Sequence, residues 1–201
     1  MIYWISRSIF WLLFKACFGY RVKGTENFPK AGPFIIAGNH LSFLDPPAVG
    51  MAWKGMVTFL AREDLFHNSF FKWWGASVGV IPIKRGKFDL AAIRGSFEKL
   101  KKGGVVALFP EGTRSRNGTI KDPKGGVGFL AVKAKVPVVP VFIRGTDRAL
   151  PHHTVFIRFK RVEVTVGKSL RPEMFAKAGG EYDYLAFSQE VMREIEELGR
   201  E

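Results

Sequence analysis

The chain has 201 residues, enough for a single domain with a buried core, and 47% of them are hydrophobic. This composition excludes a disordered chain, and the single cysteine excludes an internal disulfide. The formal net charge of +13 predicts an anionic partner, which leaves nucleic acid, an anionic membrane surface and phosphorylated substrates as candidates.

The first twenty residues, Met1–Tyr20, have the pattern of an amphipathic helix. Arg7 and Lys15 project within about a quarter turn of each other and leave a broad face of Trp, Phe, Leu and Ile. The uninterrupted apolar stretch, Ile9–Phe14, is too short to span a bilayer. We therefore expect residues 1–20 to lie in a membrane interface and residues 21–201 to form the main domain. A helix packed on the core is the alternative, and Lys15 argues against a secretory signal peptide.

A histidine and an aspartate follow the next apolar run. Phe34–Ala37 has the pattern of a buried strand, and Pro46 indicates a helix that begins with Asp45 as its N-cap. His40 then lies in the turn between strand and helix, where it can meet Asp45. An imidazole held by a carboxylate can act as a general base towards a hydroxyl. The alternatives are an Asp45 that only caps the helix and a His40 that only completes the turn.

Strand-like runs then alternate with helical patterns to the end of the chain. The predicted strands are Phe34–Ala37, Val57–Leu60, Val80–Ile83, Val105–Phe109, Val138–Arg144, Thr154–Phe159 and Val162–Val166. The predicted helices are Pro46–Ala52, Asp64–Trp74, Asp89–Leu100, Gly126–Ala134 and Tyr182–Leu198. The alternation predicts parallel crossovers, and the short gap between the last two strands predicts a hairpin. The expected fold is α/β, a sandwich of helices around a mixed, largely parallel sheet, with an N-terminal interfacial helix.

Three further segments accompany the His40–Asp45 turn in a fixed order. They are Gly79–Arg85, Phe109–Ser115 and Val136–Val141. Over roughly residues 20 to 170, the four blocks together resemble the glycerolipid acyltransferases, most of all the 1-acylglycerol-3-phosphate O-acyltransferases. Four ordered blocks are specific evidence where a single short motif is not.

This resemblance implies a reaction in phospholipid biosynthesis. A fatty acyl group would pass from a thioester to the free hydroxyl of a 1-acylglycerol-3-phosphate, giving phosphatidic acid, with His40 as the base and Asp45 as its partner. The residues implied in substrate binding are Lys84, Arg85, Glu111, Gly112, Thr113 and Arg114, with Arg85 and Arg114 as phosphate contacts. For each cation, solvated surface charge is the alternative.

The implied partners are an acyl-CoA or acyl carrier protein thioester as donor, a lysophospholipid as acceptor, and an anionic membrane surface. We expect no nucleic acid, since no binding signature is present, and no metal or other cofactor, since the one Cys and four His lack ligand spacing. The expected location is peripheral, on the cytoplasmic face of a membrane. Acylation of another lysolipid and non-catalytic binding of membrane or nucleic acid by a basic protein are the alternatives.

Overall fold

The computed structural model describes residues 1–84, 89–115, 118–152, 154–176 and 181–200. Its strands are β1 (Arg21–Lys23), β2 (Phe34–Gly38), β3 (Val57–Arg62), β4 (Ile81–Ile83), β5 (Val105–Leu108), β6 (Val138–Arg144) and β7 (Glu163–Val166). Its α-helices are α1 (Ile2–Phe18), α2 (Asp45–Ala52), α3 (Ser69–Ser77), α4 (Leu90–Lys101), α5 (Gly126–Ala134), α6 (Thr146–Ala149) and α7 (Tyr184–Arg200). Short 3-10 turns lie at Thr25–Asn27, Glu63–Phe66 and Pro172–Phe175.

The strands form a sheet in the order β1-β7-β6-β2-β5-β3-β4. Strands β2 to β6 are parallel to one another, whereas β7 runs antiparallel to β6 and β1 runs parallel to β7. Every residue of the central β2 is buried, as expected for a parallel strand covered on both faces. The carboxyl ends of β2 to β6 meet at one edge of the sheet, called here the carboxyl edge. The predicted α/β sandwich around a mixed, largely parallel sheet is confirmed.

Two apolar clusters cover the two faces of the sheet. Alternate residues of β2 point to opposite faces, so that Phe34 and Ile36 join one cluster while Ile35 and Ala37 join the other. The first cluster includes residues of α1 and α2, and the second includes residues of α5 and α7. His40 and Asp45 therefore follow a strand that is packed on both of its faces.

Helix α1 packs on the sheet by one side only. Phe14 and Phe18 are buried in the core, and the guanidinium of Arg7 donates to the carbonyls of Gly50 and Met51 at 2.9 and 3.2 Å. These carbonyls lie at the C-terminal end of α2, where a cation is favourable. The opposite side of α1 exposes Trp4, Ile5, Ile9, Trp11, Leu12 and Leu13. No helix in the described part of the chain is both long and apolar enough to cross a membrane.

Two strand predictions differ from the structure. Residues 154–159 form no strand, and β7 pairs with β6 and β1 instead, so the predicted hairpin is wrong. The run Val155–Ile157 has the composition of a strand, but its side chains lie in solvent and no strand in the described part of the chain pairs with it. Strand β1 was not predicted because it is short and carries two cations.

The helix predicted for Asp64–Trp74 begins later than expected. A 3-10 turn occupies Glu63–Phe66, and α3 runs over Ser69–Ser77 with Asn68 as its N-cap. The side chain of Asn68 accepts a hydrogen bond from the amide of Phe71 at 2.9 Å, which fixes the start of the helix at that point.

Candidate active site

The turn between β2 and α2 is organised by one carboxylate oxygen. Oδ2 of Asp45 accepts from the amides of Leu41 and Ser42, both at 2.7 Å, and lies 2.8 Å from Nδ1 of His40. Leu44, and not Asp45, occupies the N-cap position of α2, so the predicted capping role of Asp45 is wrong. The carboxylate turns back across the loop, where these three donors converge on it, instead of forward to the first amides of the helix.

Asp45 is fully buried, and its other oxygen, Oδ1, has no hydrogen-bond partner among the described residues. A buried carboxylate is stabilised by charge-assisted hydrogen bonds, which here all fall on Oδ2. The pairing with an acceptor requires Nδ1 of His40 to carry a proton. In the neutral imidazole, Nε2 is therefore the nitrogen that can accept a proton from a substrate.

The ring of His40 lies flat on a second ring. It stacks on Phe109 with centroids 4.0 Å apart and planes 12° apart. Asp45 thus fixes one ring nitrogen while Phe109, immediately after β5, fixes the ring plane. Among the described residues, no group of three or more His, Cys, Asp or Glu side chains is placed to hold a metal ion.

Glu111 ties the loop after β5 to the turn after β2. Its Oε1 accepts from the amide of His40 at 2.8 Å and its Oε2 from the amide of Lys121 at 3.3 Å. The amide of Ser115 in turn donates to the carbonyl of His40 at 2.7 Å. Burial raises the pKa of the Glu111 carboxyl, and the two amide hydrogen bonds oppose that rise. The His40–Asp45 turn and the Phe109–Ser115 segment are therefore joined through both the amide and the carbonyl of His40.

Arg114 lies next to this turn. Its guanidinium carbon is 3.7 Å from the centroid of the Phe43 ring, a cation–π contact. Burial lowers the pKa of Arg114; Asp45 acts in the opposite direction and Arg62, a like charge, lowers it further. Arg62 ends β3, the strand beside β5. Arg62 is itself hydrogen-bonded to the carboxylate of Asp64 at 2.9 Å, so Arg114 is the better placed of these two cations to bind an anion.

The remaining predicted site residues lie in two different loops, apart from Arg85. Gly112 has a φ of +69°, which favours glycine, and its amide donates to the carbonyl of Phe109 at 2.9 Å. Thr113 is exposed in the same loop. Lys84 is exposed after β4, which is separated from β5 by β3. Arg85 lies outside the described residues.

Sequence reasoning missed several residues that shape the site. The side chain of Asn39 donates to the carbonyl of Ile143 at 3.0 Å and accepts from its amide at 2.7 Å. It thus continues the pairing of β2 with β6 past the end of β2. The hydroxyl of Ser42 donates to the carbonyl of Leu150 at 2.9 Å. Polar residues directly after a buried strand are the signal that could have identified both.

A cleft of about 700 Å³ opens on the side of the sheet covered by α4, α5 and α7. Its apolar lining includes Leu60, Ile93, Leu108, Phe109, Phe129 and Leu130. Phe109 forms part of this wall and also supports the ring of His40. Phe109 therefore links the wall of the cleft to the ring of His40.

Known proteins share both the sequence and this fold. Residues 19–144 match the family model described as Acyltransferase. A chloroplastic 1-acyl-sn-glycerol-3-phosphate acyltransferase of Brassica napus is 34% identical over 136 residues, covering 65% of this chain and 38% of that protein. The 1-acyl-sn-glycerol-3-phosphate acyltransferase of Bacillus subtilis is 25% identical over 184 residues, covering 90% of this chain and 88% of that protein.

The crystal structure of the 1-acyl-sn-glycerophosphate acyltransferase PlsC from Thermotoga maritima superposes with a TM-score of 0.78 at 30% identity. The match covers 100% of this chain and 79% of that one. The chain spans only 38% and 41% of the lengths of the Brassica napus and Arabidopsis thaliana relatives. Its matched region contains the His40–Asp45 turn and the Glu111–Arg114 loop. The chain belongs to the acyltransferase family.

Proposed function

We propose that this protein transfers a fatty acyl group from an acyl thioester to the free hydroxyl of a 1-acylglycerol-3-phosphate, giving phosphatidic acid. The observation that carries the proposal is the hydrogen bond between Nδ1 of His40 and Oδ2 of Asp45, 2.8 Å long, in a turn braced by Glu111. Membership of the acyltransferase family and the names of the relatives support the same reaction.

In this mechanism His40 acts as the general base. Its Nε2 takes the proton of the acceptor hydroxyl while the hydroxyl oxygen attacks the thioester carbonyl carbon. The carbon–sulfur bond then breaks, the thiolate leaves, and the proton passes from Nε2 to the sulfur. Asp45 keeps the ring in the tautomer that leaves Nε2 free and stabilises the imidazolium that forms. No covalent enzyme intermediate is needed.

Cations next to the turn would bind the acceptor phosphate. Arg114 is half-buried beside Phe43, and a phosphate would form a charge-assisted pair with its guanidinium. Lys84 follows β4 at the same carboxyl edge and would extend this positive surface. For Arg85, which lies outside the described residues, the role of phosphate contact is proposed from the sequence resemblance. Glu111, whose oxygens are occupied by backbone amides, would position the acceptor loop and not contact the phosphate.

The lipid substrates place the reaction at a membrane surface. The exposed apolar side of α1 and the net charge of +13 support peripheral attachment to an anionic leaflet on the cytoplasmic face. The donor would be an acyl-CoA or acyl carrier protein thioester. The fatty chain of a substrate would find an apolar wall in the cleft beside Phe109.

Thiol release by the purified protein tests the proposal. The protein would be mixed with acyl-CoA and, in separate reactions, with 1-acylglycerol-3-phosphate, other lysophospholipids or no acceptor. We expect release with the phosphate monoester and loss of at least about a hundredfold for His40→Ala. His67→Ala is the matched control, because His67 is an exposed histidine of the same carboxyl edge. Release with a different lysolipid alone would assign another acceptor, and no release with any acceptor or acyl donor would contradict the activity.

A further inference from the structure

The segment at residues 154–161, called here the 154–161 loop, exposes large apolar side chains in succession. Val155, Phe156, Ile157 and Phe159 have 57–87% of their surface in solvent. Single exposed apolar residues are ordinary in soluble proteins, but a contiguous apolar patch marks a contact surface. Neither the proposed chemistry nor the packing of the core uses these side chains.

Backbone hydrogen bonds hold the 154–161 loop in place. The amide of Arg158 donates to the carbonyl of Ala149 at 2.8 Å, and that of Phe156 donates to the hydroxyl of Thr154 at 3.0 Å. Directly after the loop, the amide of Val162 donates to the carbonyl of Phe18 at the end of α1, at 3.0 Å. The exposure of the apolar side chains is therefore a feature of a fixed loop, and the loop is joined to α1.

The 154–161 loop lies on the carboxyl edge, beside the His40 turn. It follows β6 and α6 and precedes β7, whose first residue pairs with the last residue of β6. A hollow of about 620 Å³ separates it from Phe43, the ring that contacts Arg114. Whatever covers this loop therefore also faces the entrance to the proposed site.

The chemistry of the loop identifies the kind of partner. Arg158, Lys160 and Arg161 are exposed among the apolar residues, and residues 154–162 include no acidic side chain. Long basic side chains among exposed aromatic and aliphatic ones suit the boundary between anionic headgroups and acyl chains.

A bilayer fits the geometry better than a folded protein does. Val155 and Phe156 expose 87% and 77% of their surface, so that these side chains are open to solvent on more than one side. A flat protein surface would cover one side of such a segment and leave the other in water. A fluid lipid phase surrounds both sides.

We propose that the 154–161 loop inserts into an anionic bilayer and holds the entrance of the His40 site against the membrane, as a second contact beside α1. This membrane contact rests on the proposed function, because a lipid substrate must reach the His40 site from the bilayer. Its test is a binding measurement, which succeeds or fails independently of acyl transfer.

A cysteine-directed, environment-sensitive fluorophore tests insertion in the full-length chain. Cys17→Ser removes the natural thiol, and Phe156→Cys places the label in the loop. The matched control is Met174→Cys, also with Cys17→Ser, because Met174 is 73% exposed in the 3-10 turn on the opposite face of the sheet. We expect a blue shift and gain of emission at position 156 with phosphatidylglycerol-containing vesicles, and neither at position 174.

Co-sedimentation supplies the second measurement. Phe156→Ser combined with Phe159→Ser should weaken binding to anionic vesicles by about tenfold, because binding scales with the apolar area inserted. Leu90→Ser combined with Met174→Ser is the control, since these residues are 69% and 73% exposed and neither belongs to the 154–161 loop or to α1. The control should bind like the wild type.

Three outcomes would overturn the proposal. The first is an unchanged spectrum at position 156 in protein that sediments with vesicles, and the second is equal loss of binding in both serine pairs. The third is a spectral change with acidic acyl carrier protein but not with vesicles, which would make the loop a protein-docking surface. If the label enters the bilayer and no acyl transfer is found, the proposed function fails while the membrane contact stands.

Discussion

Replacement of Asp45 by asparagine separates the charge of this residue from its hydrogen bonds. With its carbonyl oxygen at the position of Oδ2, asparagine still accepts from Leu41, Ser42 and His40, which lie at 2.7–2.8 Å. Its amide nitrogen then takes the position of Oδ1, which is buried and has no hydrogen-bond partner among the described residues. A buried donor without an acceptor costs about 1–3 kcal/mol, so we expect the variant to fold with reduced stability.

For Asp45→Asn, we expect the increase in the activation free energy to exceed the loss in folding free energy. During proton transfer His40 becomes an imidazolium, and a carboxylate about 4 Å from that charge contributes about 4 kcal/mol at an effective dielectric constant near 20. Losing this attraction corresponds to about a thousandfold in rate. Arg114, which lies close enough to Asp45 to feel its charge, would add repulsion to the imidazolium once the carboxylate is neutralised.

Initial rates of thiol release under saturating donor and acceptor give the size of this effect, and thermal denaturation shows whether the variant is folded. The decisive comparison is made in two backgrounds. If Asp45 acts through the ring of His40, Asp45→Asn lowers the rate of the wild type about a thousandfold but hardly changes the residual rate of His40→Ala, because residues that act as a unit are not additive. A folded Asp45→Asn protein with near wild-type rate, or an equal proportional loss in both backgrounds, would refute this reasoning.

Three other predictions concern the phosphate site, the buried acid and α1. Arg114→Ala should raise KM for the phosphate-bearing acceptor by about tenfold to a hundredfold, as expected for loss of a charge-assisted pair. Arg94→Ala, on α4, is the control and should leave this KM unchanged. A rise in the KM for the acyl donor alone would contradict the assignment of Arg114 to the acceptor phosphate. Because burial raises the pKa of Glu111, the folded chain holds that proton more tightly than the unfolded chain does. The stability advantage of the wild type over Glu111→Gln should therefore be greatest below pH 4.5 and shrink as the pH rises through the raised pKa, and Tm values that diverge with rising pH would contradict this. Ile9→Ser with Leu12→Ser should weaken binding to anionic vesicles and leave Tm nearly unchanged, whereas a large fall in Tm would make that side of α1 part of the core.

The part of the site that is local in sequence could be predicted, and the part that is built over long distances could not. The apolar run before His40 and Pro46 after it predict the strand, the turn and the helix. The direction of the Asp45 carboxylate depends on the amides of Leu41 and Ser42, which no spacing rule reveals. The role of Glu111 depends on β5 lying beside β2, a neighbour relation that the order of elements leaves open.

The same distinction explains the wrong strand at residues 154–159. An apolar run indicates burial only if another part of the chain covers it, and no described part of the chain covers Val155–Ile157. Composition alone does not distinguish a buried strand from a loop exposed to solvent or lipid. Nearby cations, here Arg158, Lys160 and Arg161, are the signal that distinguishes an exposed loop from a buried strand.

The long-range hydrogen bonds of the His40 turn also determine when, during synthesis, this site can form. His40 is bonded to Glu111, 71 residues later, while Asn39 and Ser42 are bonded to residues 104 and 108 positions later. At translation rates of about 5–20 residues per second, His40 emerges roughly 5–20 s before its last brace, Leu150. A nascent or truncated chain that ends before this residue lacks the positioned base, although both His40 and Asp45 are present. The proposed acyl transfer would in this way be restricted to chains whose synthesis has passed Leu150.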